Sequence, residues 1–160
     1  MTDFMQWTDK LTLGIQEIDD QHLVVFRVLE RLAEAAQRMP AGSPLLDRVP
    51  MDDPGRERGS EIQAAQYIHQ LLDELVQHTQ EHFRCEEELM VAHHYPHLNE
   101  HRREHTMLFA ELKSFIRDIT KGTASLDQKT LCSLKQWLIV HICESDKAFA
   151  EYVHKSGTQP

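Results

Sequence analysis

The chain has 160 residues, a length that suits one domain around one well-filled core. Its 26 acidic residues outnumber 17 basic ones, for a net charge of −9 at neutral pH. Such a surface repels nucleic acid and anionic lipid, which argues against either as a partner. The most apolar stretch, residues 137–143, falls well short of the roughly 20 residues that span a bilayer and carries a histidine, so no membrane insertion is expected.

The opening MTDFMQWTDK has neither a basic n-region nor an apolar h-region, so no signal peptide and a cytoplasmic location are expected. Cys85, Cys132 and Cys143 form no CxxC pair and are expected to be reduced, mostly buried thiols. Histidine is the abnormal count: 11 in the chain, several times ordinary usage.

Residues 1–18 read as an extended N-terminal arm, with Trp7, Leu11, Leu13 and Ile15 packing over the fold. A first helix is expected from about Asp19 to Met39, with His22, Phe26, Leu29, Leu32, Ala33 and Ala36 on one face. Pro40 to Ser60 holds four prolines and three glycines and reads as a long loop, because each proline removes a donor and crowds the preceding turn. The second helix is expected to start after Ser60, acting as N-cap, and to run to about His93 through Ile68, Leu71, Leu72, Leu75, Thr79, His82, Glu86 and Leu89. The third starts at Pro96, carries Leu98, His101, His105, Leu108, Leu112, Phe115 and Ile119, and stops at Gly122. The fourth follows Ser125 or Asp127, with Leu131, Leu134, Leu138, His141, Ile142 and Phe149 inward. Four helices with mostly short connections and no strand signal predict an all-α, antiparallel up-down-up-down four-helix bundle forming a single domain over 1–160.

Every helix places histidine or carboxylate on its apolar stripe, and burying such groups without partners costs several kcal/mol each. One shared partner, a metal centre, explains all of them together. His82 and Glu86 stand four apart, as do His101 and His105, so each pair shares a helix face. His141 and Asp146 are five apart, and an ideal helix separates such residues by about 140°. A local π-bulge would bring them back toward one face.

Taken together, these residues resemble the hemerythrin family, in its bacterial branch (the bacteriohemerythrins). The resemblance rests on Trp7 and the run Leu13-Gly14-Ile15, then Ile18-Asp19-Asp20-Gln21-His22. It continues through His82-Phe83-Arg84-Cys85-Glu86-Glu87-Glu88-Leu89-Met90, Tyr95-Pro96, and His101 with His105. It ends with Trp137-Leu138, His141 and Asp146, so that only the 40–60 loop lies outside it. The resemblance implies that His101, His105 and His141 hold one iron and His22 and His82 the other. Glu86 and Asp146 would bridge the two irons together with an oxo or hydroxo group. The implied cofactor is a pair of iron ions cycling between Fe2+ and Fe3+. The second iron then has five ligands against six, and its open position would take dioxygen. Leu138, one turn before His141, would wall the oxygen pocket.

The implied function is reversible dioxygen binding for storage, transport or delivery, without enzymatic turnover. Histidine-rich ligation separates it from ferritin-like oxidases, which draw on paired Glu-x-x-His motifs; this chain has only Glu151 with His154. Two alternatives share the site: an oxygen or redox sensor acting on an unidentified protein partner, and an enzyme turning over peroxide or nitric oxide. His69, His78, His93, His94, His97 and His154 are expected outside the site. His101-Arg102-Arg103-Glu104-His105 also fits a zinc-peptidase pattern with Glu104 as base, but that reading leaves the other buried polar residues unexplained.

Overall fold

The computed structural model describes residues 8–38 and 58–157. After a 3-10 turn at Asp9–Leu11, the helices are α1 (Gln16–Arg38), α2 (Arg58–Ala92), α3 (Leu98–Thr120), α4 (Gln128–His141) and α5 (Lys147–Lys155). A π-helical turn, Ile142–Asp146, joins α4 to α5 without leaving helical dihedral angles, so the three pieces form one continuous rod. There is no strand among the described residues. None of the described helices is long and apolar enough to cross a membrane.

The core shows how the helices run. Leu32, Ala33 and Ala35 from the end of α1 meet Ile68, Leu71 and Leu72 from the start of α2, Ile119 from the end of α3 and Leu131 from the start of α4. Ends and starts alternate around this cluster, as an up-down-up-down bundle requires. A larger cluster fills the rest, from Val25, Phe26 and Leu29 across Leu75, Leu112, Leu134 and Leu138 to Met90, Ile142, Phe149 and Val153.

The arm packs as expected where it is described: Leu11, Leu13 and Ile15 are buried in the larger cluster, while Trp7 lies outside the described residues. Its anchor is Asp19, whose carboxylate accepts from the backbone N–H of Leu13 (2.8 Å) and Gly14 (3.0 Å). His154 on α5 donates from Nε2 to the Leu13 carbonyl at 2.9 Å. Gly14 takes φ +77°, and a Cβ there would come within 3.2 Å of His154, so both backbone and space call for glycine.

Several predicted boundaries move. α1 begins at Gln16 rather than Asp19, because Asp19 is spent inside the first turn on the arm. Met39 and residues 40–57 lie outside the described residues, and α2 starts at Arg58, so Ser60 is inside the helix and not its N-cap. α3 starts at Leu98, two residues after Pro96. The reason lies in the end of α2: Tyr95 donates to the Met90 carbonyl (2.9 Å) and His94 to that of Val91 (3.1 Å), with His94 at φ +53°. This Schellman turn tucks the Tyr95 ring against Phe149, centroids 5.1 Å apart, and only then does the chain turn into α3. Gly122 ends α3 as predicted, at φ +70°, with Thr123 bonded to the Asp118 carbonyl at 2.9 Å. Asp127, one of two predicted caps for the fourth helix, is the one used: its Oδ1 accepts from the Thr130 N–H at 2.9 Å.

The cysteines depart from expectation. Cys85 is buried, but Cys132 and Cys143 are exposed, each following a core residue (Leu131, Ile142) and so turned to the outer face. The Cys85 thiol donates to Glu17 Oε1 at 2.8 Å. Burial and that carboxylate push its pKa up to about 11, which makes it an inert thiol.

Candidate metal centre

His22 comes from α1, His82 and Glu86 from α2, His101 and His105 from α3, and His141 and Asp146 from the rod of α4 and α5. All are buried, at relative exposures from 0% to 5%, and all meet in the middle of the bundle. The ligand atoms of Glu86, His101, His105, His141 and Asp146 lie within 4.8 Å of one another, and those of His22, His82 and Asp146 form a second such group. Asp146 belongs to both.

The π turn is what brings Asp146 in. The segment 142–146 adds a residue to the turn, and Asp146 Oδ1 stands 3.0 Å from His141 Nε2 while Oδ2 stands 3.1 Å from His22 Nε2. Glu86 also faces both groups: its Oε2 is 3.1 Å from His101, 3.2 Å from His105 and 4.0 Å from His82.

Imidazole nitrogens crowd one another in the same space. Nε2 atoms lie 2.9 Å apart for His101 and His105, 3.1 Å for His105 and His141, and 3.2 Å for His22 and His82. Two ligands about 2.1 Å from a common metal, at right angles, lie about 3.0 Å apart, so the spacing is that of ligands around an ion. Glu86 Oε1 and both Asp146 oxygens are buried without a well-formed hydrogen bond, although imidazoles surround them. Five imidazoles and two carboxylates facing inward fit a pair of metal ions.

The electrostatics agree. Burial and neighbouring His22 push His82 down to about 4, so it stays a neutral lone-pair donor. Burial also disfavours the charged form of His101, but contacts with Asp146 and Glu86 outweigh it and raise its pKa to about 10, so a metal bound there must displace its proton. Burial acts to raise both Glu86 and Asp146, and Asp146 also repels Glu86; contacts with His101, and with His105 and His22 respectively, overcome this and hold both carboxyls below their usual range. Ionised carboxylates deep in a core call for cations.

The outward nitrogens have partners that sequence reasoning missed. His105 Nδ1 is 2.9 Å from Glu87 Oε1, His141 Nδ1 is 2.9 Å from Glu104 Oε1, and His82 Nδ1 is 3.3 Å from Gln21 Oε1. Ser145, inside the π turn, donates to both oxygens of Glu104. Phe83 stacks on His105 with centroids 3.8 Å apart and planes 12° from parallel. Each missed acceptor directly precedes or follows an inward residue, a position that in the sequence reads as solvated surface. Glu104 is thereby engaged with the back of His141, not poised as the base that the peptidase pattern needs. Leu138 is buried in the core one turn before His141. The six remaining histidines stay out of both groups: His69, His78 and His93 are half-buried, and His94, His97 and His154 are exposed.

A four-helix bundle enclosing a cage of imidazoles and carboxylates defines a helical metal-binding domain. The chain belongs to the hemerythrin family: the model of the hemerythrin HHE cation binding domain matches residues 13–153. It is 28% identical to the bacteriohemerythrin of Stenotrophomonas maltophilia over 148 residues, 92% of this chain and 80% of that one. With the bacteriohemerythrin of Pseudomonas aeruginosa it shares 27% over 154 residues, 96% of this chain and 84% of the relative. The myohemerythrin of Riftia pachyptila is 26% identical over 136 residues, 85% of this chain and 82% of its own. The fold matches a crystal structure of a hemerythrin carrying a leucine-to-alanine substitution, with a TM-score of 0.70, 22% identity, and coverage of 92% of this chain and 95% of that one.

Proposed function

We propose that this chain is a non-haem di-iron protein that binds dioxygen reversibly, for storage, transport or delivery, and is not an enzyme. The observation that carries the reading is the convergence of five imidazole nitrogens and two carboxylates at metal-ligand spacing in a buried core. The named relatives, bacteriohemerythrins and a myohemerythrin, support iron and oxygen over other uses of such a cage.

In this reading His101, His105 and His141 would hold one iron, and His22 and His82 the other. Asp146, common to both groups, and Glu86, which faces both, would be the carboxylates that the two irons share. The irons, when bound, supply the electrons that dioxygen takes up and returns. Neutral imidazoles leave the pair less negatively charged than a carboxylate-rich site does, which disfavours the oxidising states used by oxidases. Leu138, buried one turn before His141, would wall the oxygen pocket in this reading. The donors alone suit several divalent metals, so identity of the metal is a direct part of the test.

The test is a metal count and an optical spectrum of the anaerobically reduced protein, before and after oxygen is added. About two irons per chain are expected, with a charge-transfer band that rises with oxygen and fades on its removal. Zinc in their place, or irreversible oxidation at first contact with oxygen, would sink the proposal.

A further inference from the structure

The acceptors behind the imidazoles are distributed unevenly. Both carboxylates, Glu87 and Glu104, stand behind histidines of the group that includes His101, His105 and His141. Behind His82, in the other group, stands a neutral amide, the Gln21 carbonyl, at a longer 3.3 Å. An imidazole that donates its N–H to a carboxylate is a more basic ligand than one that donates to an amide. A more basic ligand favours the higher charge on its metal.

The two carboxylates are also unequal. Glu87 shares its other oxygen with the Arg102 guanidinium, 3.1 Å away, which draws off part of its charge. Glu104 receives the neutral Ser145 hydroxyl on both oxygens instead, at 2.8 and 2.7 Å. Its charge is therefore left for His141, and the π turn that delivers Asp146 also delivers the serine that aims it.

We infer that Glu104 is a positioning residue that acts through His141 to make the two irons electronically unequal, lowering the reduction potential of the three-histidine iron. This rests on the proposed di-iron reading, and the first measurement separates the two. If the unaltered protein does not hold two irons, the di-iron reading fails and this inference with it; everything below applies to protein that does.

The experiment is spectroelectrochemical titration of the iron-loaded full-length protein, with Mössbauer spectra of 57Fe-loaded samples, for Glu104→Gln, Glu87→Gln, Gln21→Leu and Ser145→Ala. Glu104→Gln keeps the shape and the hydrogen bond but removes the charge. It is expected to retain two irons and to weaken ferric binding about tenfold more than ferrous, which shifts the ferric-to-ferrous ratio at a given potential about tenfold toward ferrous, or ~59 mV for one electron. The Mössbauer change should be confined to one iron. Glu87→Gln should shift less in the same direction, and Gln21→Leu should leave that iron's signal in place. An unchanged potential in Glu104→Gln, or equal changes at both irons, overturns the inference. Should Glu104→Gln fail to load iron, Ser145→Ala decides. It keeps the carboxylate but releases its aim, and a smaller shift toward ferrous supports the role while no shift refutes it.

Discussion

At the scale of single residues, the proposed ligand set makes unequal demands on similar side chains. Glu86 and Asp146 each face both groups, so Glu86→Ala and Asp146→Ala should each lose at least one of two irons, read by metal analysis of the purified variants. His78→Ala and His97→Ala, which alter a half-buried and an exposed histidine outside the groups, should retain both. Iron loss in either control would reassign the ligands. The inward residues were legible in the sequence because His22, His82, Glu86, His101, His105 and His141 interrupt apolar stripes at helical spacing. Glu87, Glu104 and Gln21 were not, since each neighbours a stripe residue and so falls about 100° round the helix, where a polar residue looks like solvated surface. The side chain of Glu104 is in fact 39% exposed, and its contacts with His141 and Ser145 distinguish it. The expectation of mostly buried thiols failed for Cys132 and Cys143, because it rested on residue type alone, and each follows a core residue and so falls about 100° round the helix, on the outer face.

At the scale of elements, caps and turns decide where the rods stop. His94 holds a left-handed conformation that costs an L-residue about 1–2 kcal/mol, and its φ of +53° suits glycine. His94→Gly should raise stability to urea by about 1 kcal/mol, less what the more flexible unfolded chain takes back; a clear loss would mean that the His94 side chain itself is needed. Asp127 supplies a second test. Its carboxyl is held below its usual pKa by the backbone N–H of Thr130, so its stabilisation is present above the unfolded value of about 3.9 and fades as pH falls through the lower folded value. Asp127→Ala should therefore melt a few degrees lower near pH 7, and the gap should close in acid; a gap independent of pH would rule out the charged cap. Helix number and order were readable from spacing, but the starts of α2 and α3 were not. Ser60 and Pro96 are good starting residues in isolation, and the chain continues helix through one and makes a turn at the other because Tyr95 must reach Phe149. The π turn was inferable only because His141 and Asp146 had to share a partner that an even helix denies them.

At the scale of the whole molecule, the site buries seven polar side chains among the apolar residues of the core. Under the di-iron reading, the metals offset the burial of five imidazoles and two carboxylates, so removing them should be felt throughout. A ligand present at 1,000 times its Kd adds about 4 kcal/mol to stability, and for a chain of this size that corresponds to about 10 °C in Tm. Calorimetry before and after stripping with a chelator should show a fall of that order, with recovery on re-addition of ferrous iron under anaerobic conditions. An unaltered Tm would mean that the cage stands without metal. There is also a consequence in time. Residues 22 and 146, from near the two ends of the chain, stand 3.1 Å apart, and all four rods contribute to the cage. No half of the polypeptide, folded alone or first off the ribosome, can assemble the full cage. Tight metal capture therefore belongs to the last closing of the bundle, and the moment at which a refolding chain becomes deaf to added chelator marks the completion of its fold.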